Sequence, residues 1–238
     1  AGPCPAGDPQ KCNNDGLKFR MKDDPFVIAE VQYKYGDNKK PGELAGLLKL
    51  GAFADLGTFE DQRFGIDGLS LADPLSNGVA RRFHSNRGLY GVIDQQIYRS
   101  GRRGAGANDG IFAFARIAGL PGDRNLVDYA FDAGLRFTGM VPGRPSDEFG
   151  VGISHNHISS RVAGLDRDTS FFTGSVVPVH NSEWAAELTY KAQLAQGWTL
   201  QPDLQYVWRP GGNADDPNAP TKPIDNALVL GLRSTVNY

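Results

Sequence analysis

Asp128 and Asp132, four residues apart in "LVDYAFDAGLRFTG", are the first pair that could do chemistry, and Arg136 follows at the same spacing. Two acids hydrolyse a glycosidic bond when ~5–9.5 Å separates them. On an extended chain, positions i and i+4 stand ~13 Å apart, so this pair is excluded as a hydrolytic dyad. His155 and His157 could share a metal, but such a pair at a strand end is commonly incidental, and no metal is expected. The sequence holds no Gly-rich phosphate loop, nucleophile elbow or metal triad. Neither an enzyme nor a cofactor is expected.

What remains is a set of charges spaced along apolar strings: Lys49, Asp128, Asp132, Arg136, Glu183, Glu187 and Lys191, with Asp94 and Arg116 joining them. A second group, Arg81, Arg82, His84 and Arg87, closes the stretch 58–88 and could narrow a mouth or form a solvated rim.

The elements that carry these charges alternate with period two, which is the strand signature. In "SEWAAELTYKAQL", Trp184, Ala186, Leu188, Tyr190, Ala192 and Leu194 oppose Glu183, Glu187 and Lys191. In 126–139, Val127, Tyr129, Phe131, Leu135 and Phe137 oppose Asp128, Asp132 and Arg136. "WTLQPDLQYVW" and the terminal "ALVLGLRSTVNY" repeat the pattern, with Pro202 a cost that a bulge could absorb. Weaker copies at 26–36, 43–57, 88–99, 110–119 and 148–159 bring the count to nine strands, although 88–99 and 110–119 leave their faces unassigned. Aromatics gather near both strand ends. Trp184, Tyr129, Tyr206 and Trp208 form one group, and Tyr35, Phe137, Phe149, Trp198 and Tyr238 the other. Two aromatic girdles around an aliphatic band, on strands of ~9–11 residues or more, predict a transmembrane β-barrel. The connections 58–88, 161–182 and 210–225 are long and 37–42, 140–147 and 195–197 short, while 100–109 and 119–125 break the alternation.

Composition bounds the alternatives. No run approaches the ~18 apolar residues of a membrane helix. With 25 basic and 27 acidic residues, the net charge of −2 gives no reason to expect nucleic acid. The first residues lack the basic and apolar regions of a signal peptide. Cys4 and Cys12 suit a small disulfide loop in an oxidising compartment, the alternative being two free surface thiols.

Four stretches, "RGLYGVIDQQIYR" (87–99), "FARIAGLPGDRNLVDYAFDAGLRFTGMVPGRPSDEFGVGISH" (114–155), "AELTYKAQLAQGWTLQPDLQYVWRPGG" (186–212) and "NALVLGLRSTVNY" (226–238), resemble the carbohydrate-selective porins of the OprB family. The resemblance implies an all-β, antiparallel barrel of 16 strands in the bacterial outer membrane that admits small sugars by diffusion. This chain would be its C-terminal portion: an extracellular loop over 1–25, then about nine strands over 26–238. Nine strands cannot close alone with both ends in the periplasm, because bacterial barrels use an even number. Water in the lumen keeps the alternating charges ionised, and mixed signs suit sugar hydroxyls, which accept from Arg and donate to carboxylates. The expected partners are sugars and outer-membrane lipid, with a homo-oligomer or larger membrane assembly left open. Two other classes remain: a plugged, structural or adhesive barrel attached to a larger assembly, and a soluble β-sandwich that binds carbohydrate. The apolar 170–179 could tuck inward or pack on another protein.

Overall fold

The computed structural model describes residues 24–36, 43–100 and 109–237; the expected extracellular loop with Cys4 and Cys12, the 37–42 turn and Tyr238 lie outside the described residues. Eight strands follow one another, each hydrogen-bonded antiparallel to the next: β1 Phe26–Tyr35, β2 Gly46–Gly65, β3 Ala80–Arg99, β4 Gly110–Gly119, β5 Val127–Thr138, β6 Glu148–Ile158, β7 Ser182–Ala195 and β8 Trp198–Trp208. A short β9 (Asp215–Asp216) and β10 (Ala219–Pro223) pair as a separate two-stranded flap. β11 (Ala227–Val236) then pairs with β8 as the ninth strand of the main sheet. β1 and β11 form the sheet's two edges and do not pair with each other among the described residues.

The register fixes the faces. From β2 to β7, Leu50, Gly91, Ile117, Phe131, His155 and Trp184 are successive cross-strand partners; on the other parity, Lys49, Val92, Arg116, Asp132, Ser154 and Ala185 are. The first face is apolar over most of its width and open: Val31 is 74% exposed, Leu89 69%, Leu230 77% and Leu232 71%. A soluble sandwich would cover such a face with a second sheet, yet the only other sheet among the described residues is the β9–β10 flap. An apolar area of this size marks a surface that meets a membrane or another protein.

The described members of both aromatic groups lie on this face. At one end Trp184 is the cross-strand partner of Trp208, and the His155 ring stands 4.0 Å from that of Trp184. At the other, the ring centroids of Phe137 and Phe149 are 5.6 Å apart.

Three expectations need correction. The 58–88 loop is mostly strand: β2 continues to Gly65 and β3 begins at Ala80, leaving 66–79 as the connection. Sequence alternation fails there because Glu60, Asp61, Gln62 and Arg63 all find polar partners at the sheet's end. The 161–182 loop holds a helix, α1, over Ser160–Thr173; Ser159 caps its start and Gly174, in the left-handed region at φ 70°, ends it. Pro202 is absorbed without a bulge of its own. The β7–β8 ladder skips Tyr190 and Lys191 opposite Gln201 and Pro202, while the β8–β11 ladder runs unbroken through Pro202 and Leu232. The missing N–H therefore falls on the β7 side.

Candidate functional site

The polar face forms a shallow concavity over β4–β8, of about 420 Å³. Arg116, Asp132, Arg136, Glu187, Thr189 and Gln205 line it. Arg116 and Asp132 are direct cross-strand partners. Gly134 and Gly152 also face each other there, beside Gly150 opposite Arg136, so three successive wall positions carry no side chain. Of these, Gly152 has the most open space, since the Phe114 ring lies over Gly134 and the Thr189 methyl stands beside Gly150.

The two arginines are positioned by rings. Phe114 lies under the Arg116 guanidinium, 5.3 Å from centroid to Cζ, and Phe112 under Arg136 at 4.7 Å. Such stacking favours a cation over the ring face, while leaving the guanidinium edge free to donate. The Phe114 ring itself lies flat across Gly134, where a Cβ would collide with it, and the Tyr90 ring crosses Gly51 in the same way. The acceptors stand opposite: Gln205 donates to Glu187 at 3.2 Å, and Gln201 to Thr189 at 2.9 Å. Donor edges and carboxylates thus face one open hollow, a lining suited to a neutral polyhydroxylated solute.

The nine proposed lining residues separate into groups. Arg116, Asp132, Arg136 and Glu187 share the hollow. Lys49 and Asp94 have the same parity, on β2 and β3, the second in register with Phe114. Lys191 sits at the far end, 3.5 Å from Glu148. Glu183 accepts from the Gly211 N–H at 2.7 Å, so it supports a rim turn. Asp128 departs from the expectation that it lines up with Asp132 and Arg136. A bulge between Val127 and Tyr129 turns it toward His157, whose Nδ1 lies 2.6 Å from its carboxylate. His157 stacks on Tyr129, and among the described residues no cluster of three metal-ligating side chains occurs.

At the end bearing connections 66–79, 120–126, 159–181 and 209–226, α1 leaves β6 and docks on β2, four strands away. Arg63 makes a bidentate pair with Asp168, Nε donating at 2.7 Å and the second nitrogen at 2.8 Å. The Arg63 guanidinium holds the Asp168 carboxyl below the usual range. Arg161, from the same helix face, stacks on Phe64 at 4.8 Å and approaches the buried Asp61 at 3.9 Å. Asp61 in turn accepts the Arg63 and Phe64 N–H groups at 2.9 and 3.0 Å. On the other side of the helix, Asp166 accepts the His180 backbone N–H at 2.8 Å. Sequence reading missed this brace, although Ser159 and Gly174 bracket 14 residues as caps would. It also left Tyr90, Phe112 and Phe114 unplaced.

Of the residues expected at a mouth, Arg81, Arg82 and His84 lie on the β3 extension, with Arg82 3.4 Å from Glu60 across the hairpin. Arg87 does not join them: it is in register with Ala54, on the apolar face with Leu89.

An antiparallel wall with one open apolar face and one charged, hollowed face is the wall of a porin. The family model described as "Carbohydrate-selective porin, OprB family" matches residues 5–238, and the chain belongs to that family. Porin B of Pseudomonas aeruginosa is 27% identical over 209 residues, 85% of this chain and 42% of that protein. The high-pH structure of Pseudomonas putida OprB superposes with a TM-score of 0.78 at 24% identity, covering 96% of this chain and 53% of that one, and it supports the fold. The chain spans about half the length of these relatives. They are porins, which are channels rather than enzymes.

Proposed function

We propose that the chain forms part of the wall of a bacterial outer-membrane barrel, and that the complete protein passes small neutral sugars by diffusion, without cofactor or energy. The observation that carries this reading is the pairing of two opposite faces on one sheet. The open apolar face suits lipid, and the polar face presents Arg116, Asp132, Arg136 and Glu187 around a hollow. In hydrocarbon an open sheet edge is not tolerated, so the free edges of β1 and β11 call for further strands, in keeping with the 16 that the resemblance implies. The barrel interior would then be the polar face. Weak, repeated hydrogen bonding along it favours entry while permitting exit.

In this arrangement α1, braced to β2 by Arg63 and Asp168, crosses part of the mouth as a chord and narrows it, with Arg81, Arg82 and His84 on the rim. Liposomes holding the full-length protein should swell in isosmotic monosaccharide, and sugar should transiently block ion current. Neutralising Asp132 and Arg136 together should alter that block more than it alters folding. If vesicles with demonstrably inserted protein stay tight to monosaccharides, a plugged, structural barrel becomes the better account.

A further inference from the structure

The apolar face is not uniform. Across β1 to β4 it sinks into a groove of about 760 Å³, where Ala29, Ala52, Ala54 and Gly119 replace the Leu, Ile and Phe side chains found elsewhere on that face. Val27 and Leu89 form its banks. Its floor is almost free of polar atoms, with one exception. Arg87 stands at the end nearest the 120–126 connection, on the same parity as Leu89 and directly opposite Ala54. It is exposed, and the ion pairs among the described residues do not include it. A guanidinium on an apolar face is expensive in hydrocarbon, so its level matters. Leu89, Gly119 and Tyr129 are successive cross-strand partners, and Arg87 lies two residues beyond that row, past the aromatic Tyr129. Aromatic girdles mark where hydrocarbon gives way to headgroups. Arg87 therefore sits at headgroup level, above an apolar channel that runs down into the acyl region.

We propose that this groove binds one phosphorylated, multi-acyl membrane lipid, with an acyl chain along Ala29, Ala52 and Ala54 and a phosphate on Arg87. A planar guanidinium matches phosphate oxygens with two parallel hydrogen bonds, and the small side chains below it leave room for a chain that a Leu would exclude. The inference rests on the proposal that the apolar face meets lipid.

The test uses full-length protein, first shown to be inserted and folded by its heat-modifiable migration. Native mass spectrometry then follows its titration with di-phosphorylated lipid A. One retained lipid is expected. Arg87→Gln should weaken retention roughly tenfold, equivalent to ~1.4 kcal/mol. Ala52→Phe, which adds bulk outward and leaves the ladder intact, should abolish it while the protein stays heat-modifiable. The dephosphorylated lipid should bind the unaltered protein as weakly as the phosphorylated lipid binds Arg87→Gln. Undiminished retention by either variant overturns the proposal. So does displacement by inorganic phosphate alone, or a lipid-free dimer that Ala52→Phe dissociates, which would make a second copy the occupant. Failure to insert at all would sink the membrane reading before the groove is tested.

Discussion

The middle of the sheet and its two margins are built on different principles. In the middle, around Arg116, Phe131 and Asp132, the backbone ladders do the holding, and each side chain follows the polarity of its face. At the margins, side chains hold one another. Arg63 and Asp168 join elements 105 residues apart. At the opposite end, Asp147 is almost completely buried and takes bonds from Arg144, the Tyr190 hydroxyl and the Gln193 N–H. The difference teaches where a substitution should be felt. A mid-sheet residue matters through its face, and a marginal residue through its partner.

The largest expected effect comes from violating a face. Phe131→Arg places a cation on the apolar side and should cost roughly 2–4 kcal/mol of folding stability in bilayers, measured by reversible denaturation from lipid vesicles. If Phe131→Arg proves mild and Asp132→Asn severe, the faces are reversed, as a one-residue slip would make them.

Next comes a partner. Asp147→Asn should cost about 1–3 kcal/mol by leaving buried donors poorly matched. Burial pushes the Asp147 carboxyl up, but Arg144, Tyr190 and the Gln193 N–H outweigh it and pull the pKa down to about 2 from 3.8. Because the folded value lies below the unfolded one, the stabilisation is complete above the unfolded pKa and is lost as pH falls through the folded one. The gap in thermal midpoint between Asp147→Asn and the unaltered protein should therefore hold from pH 7 to about 5 and shrink between about pH 4 and 2. A gap that closes already near pH 6 would point to another titrating group.

A smaller stability loss, about 1 kcal/mol, is expected for Asp168→Asn, which removes the carboxylate that Arg63 holds below its usual range. Its clearer readout is single-channel current: freeing α1 from β2 should make the open level noisier. Unchanged noise would remove the brace from the mouth's architecture. Last, Asp132→Asn should move stability by no more than about 0.5 kcal/mol, and any larger loss would break the contrast between middle and margin.

That contrast also explains what the sequence could disclose. β5, β7, β8 and β11 were legible, with Asp132, Arg136 and Glu187 on the face opposite the apolar residues, because one apolar and one polar face impose a strict period of two. β3 and β4 were not, since Tyr90, Phe112 and Phe114 put aromatic rings on the polar face, where they lie flat over glycine or under arginine. Their hydrophobicity hides the side they occupy. Asp128 was misplaced because the bulge after Val127 adds one residue to one strand, which no count along the chain reveals. The brace was invisible for a simpler reason. Arg63 and Asp168 are ordinary charges until the fold brings β2 and α1 together.

The order of strands has a kinetic meaning. Every strand of the main sheet except β11 is bonded to the one just before it in the chain, and β11 reaches β8 across only the short β9–β10 flap. Each new pairing thus closes a single connection between chain neighbours, and the entropy of closing a loop grows only with the logarithm of its length. Growth can proceed one hairpin at a time, every added strand finding a finished edge already waiting. Contacts this close in sequence favour rapid formation. Doubling any single connection, such as 66–79, would slow that step by only the roughly 0.6 kcal/mol of extra closure entropy, which leaves the loops at the mouth free to diversify without disturbing how the wall is raised.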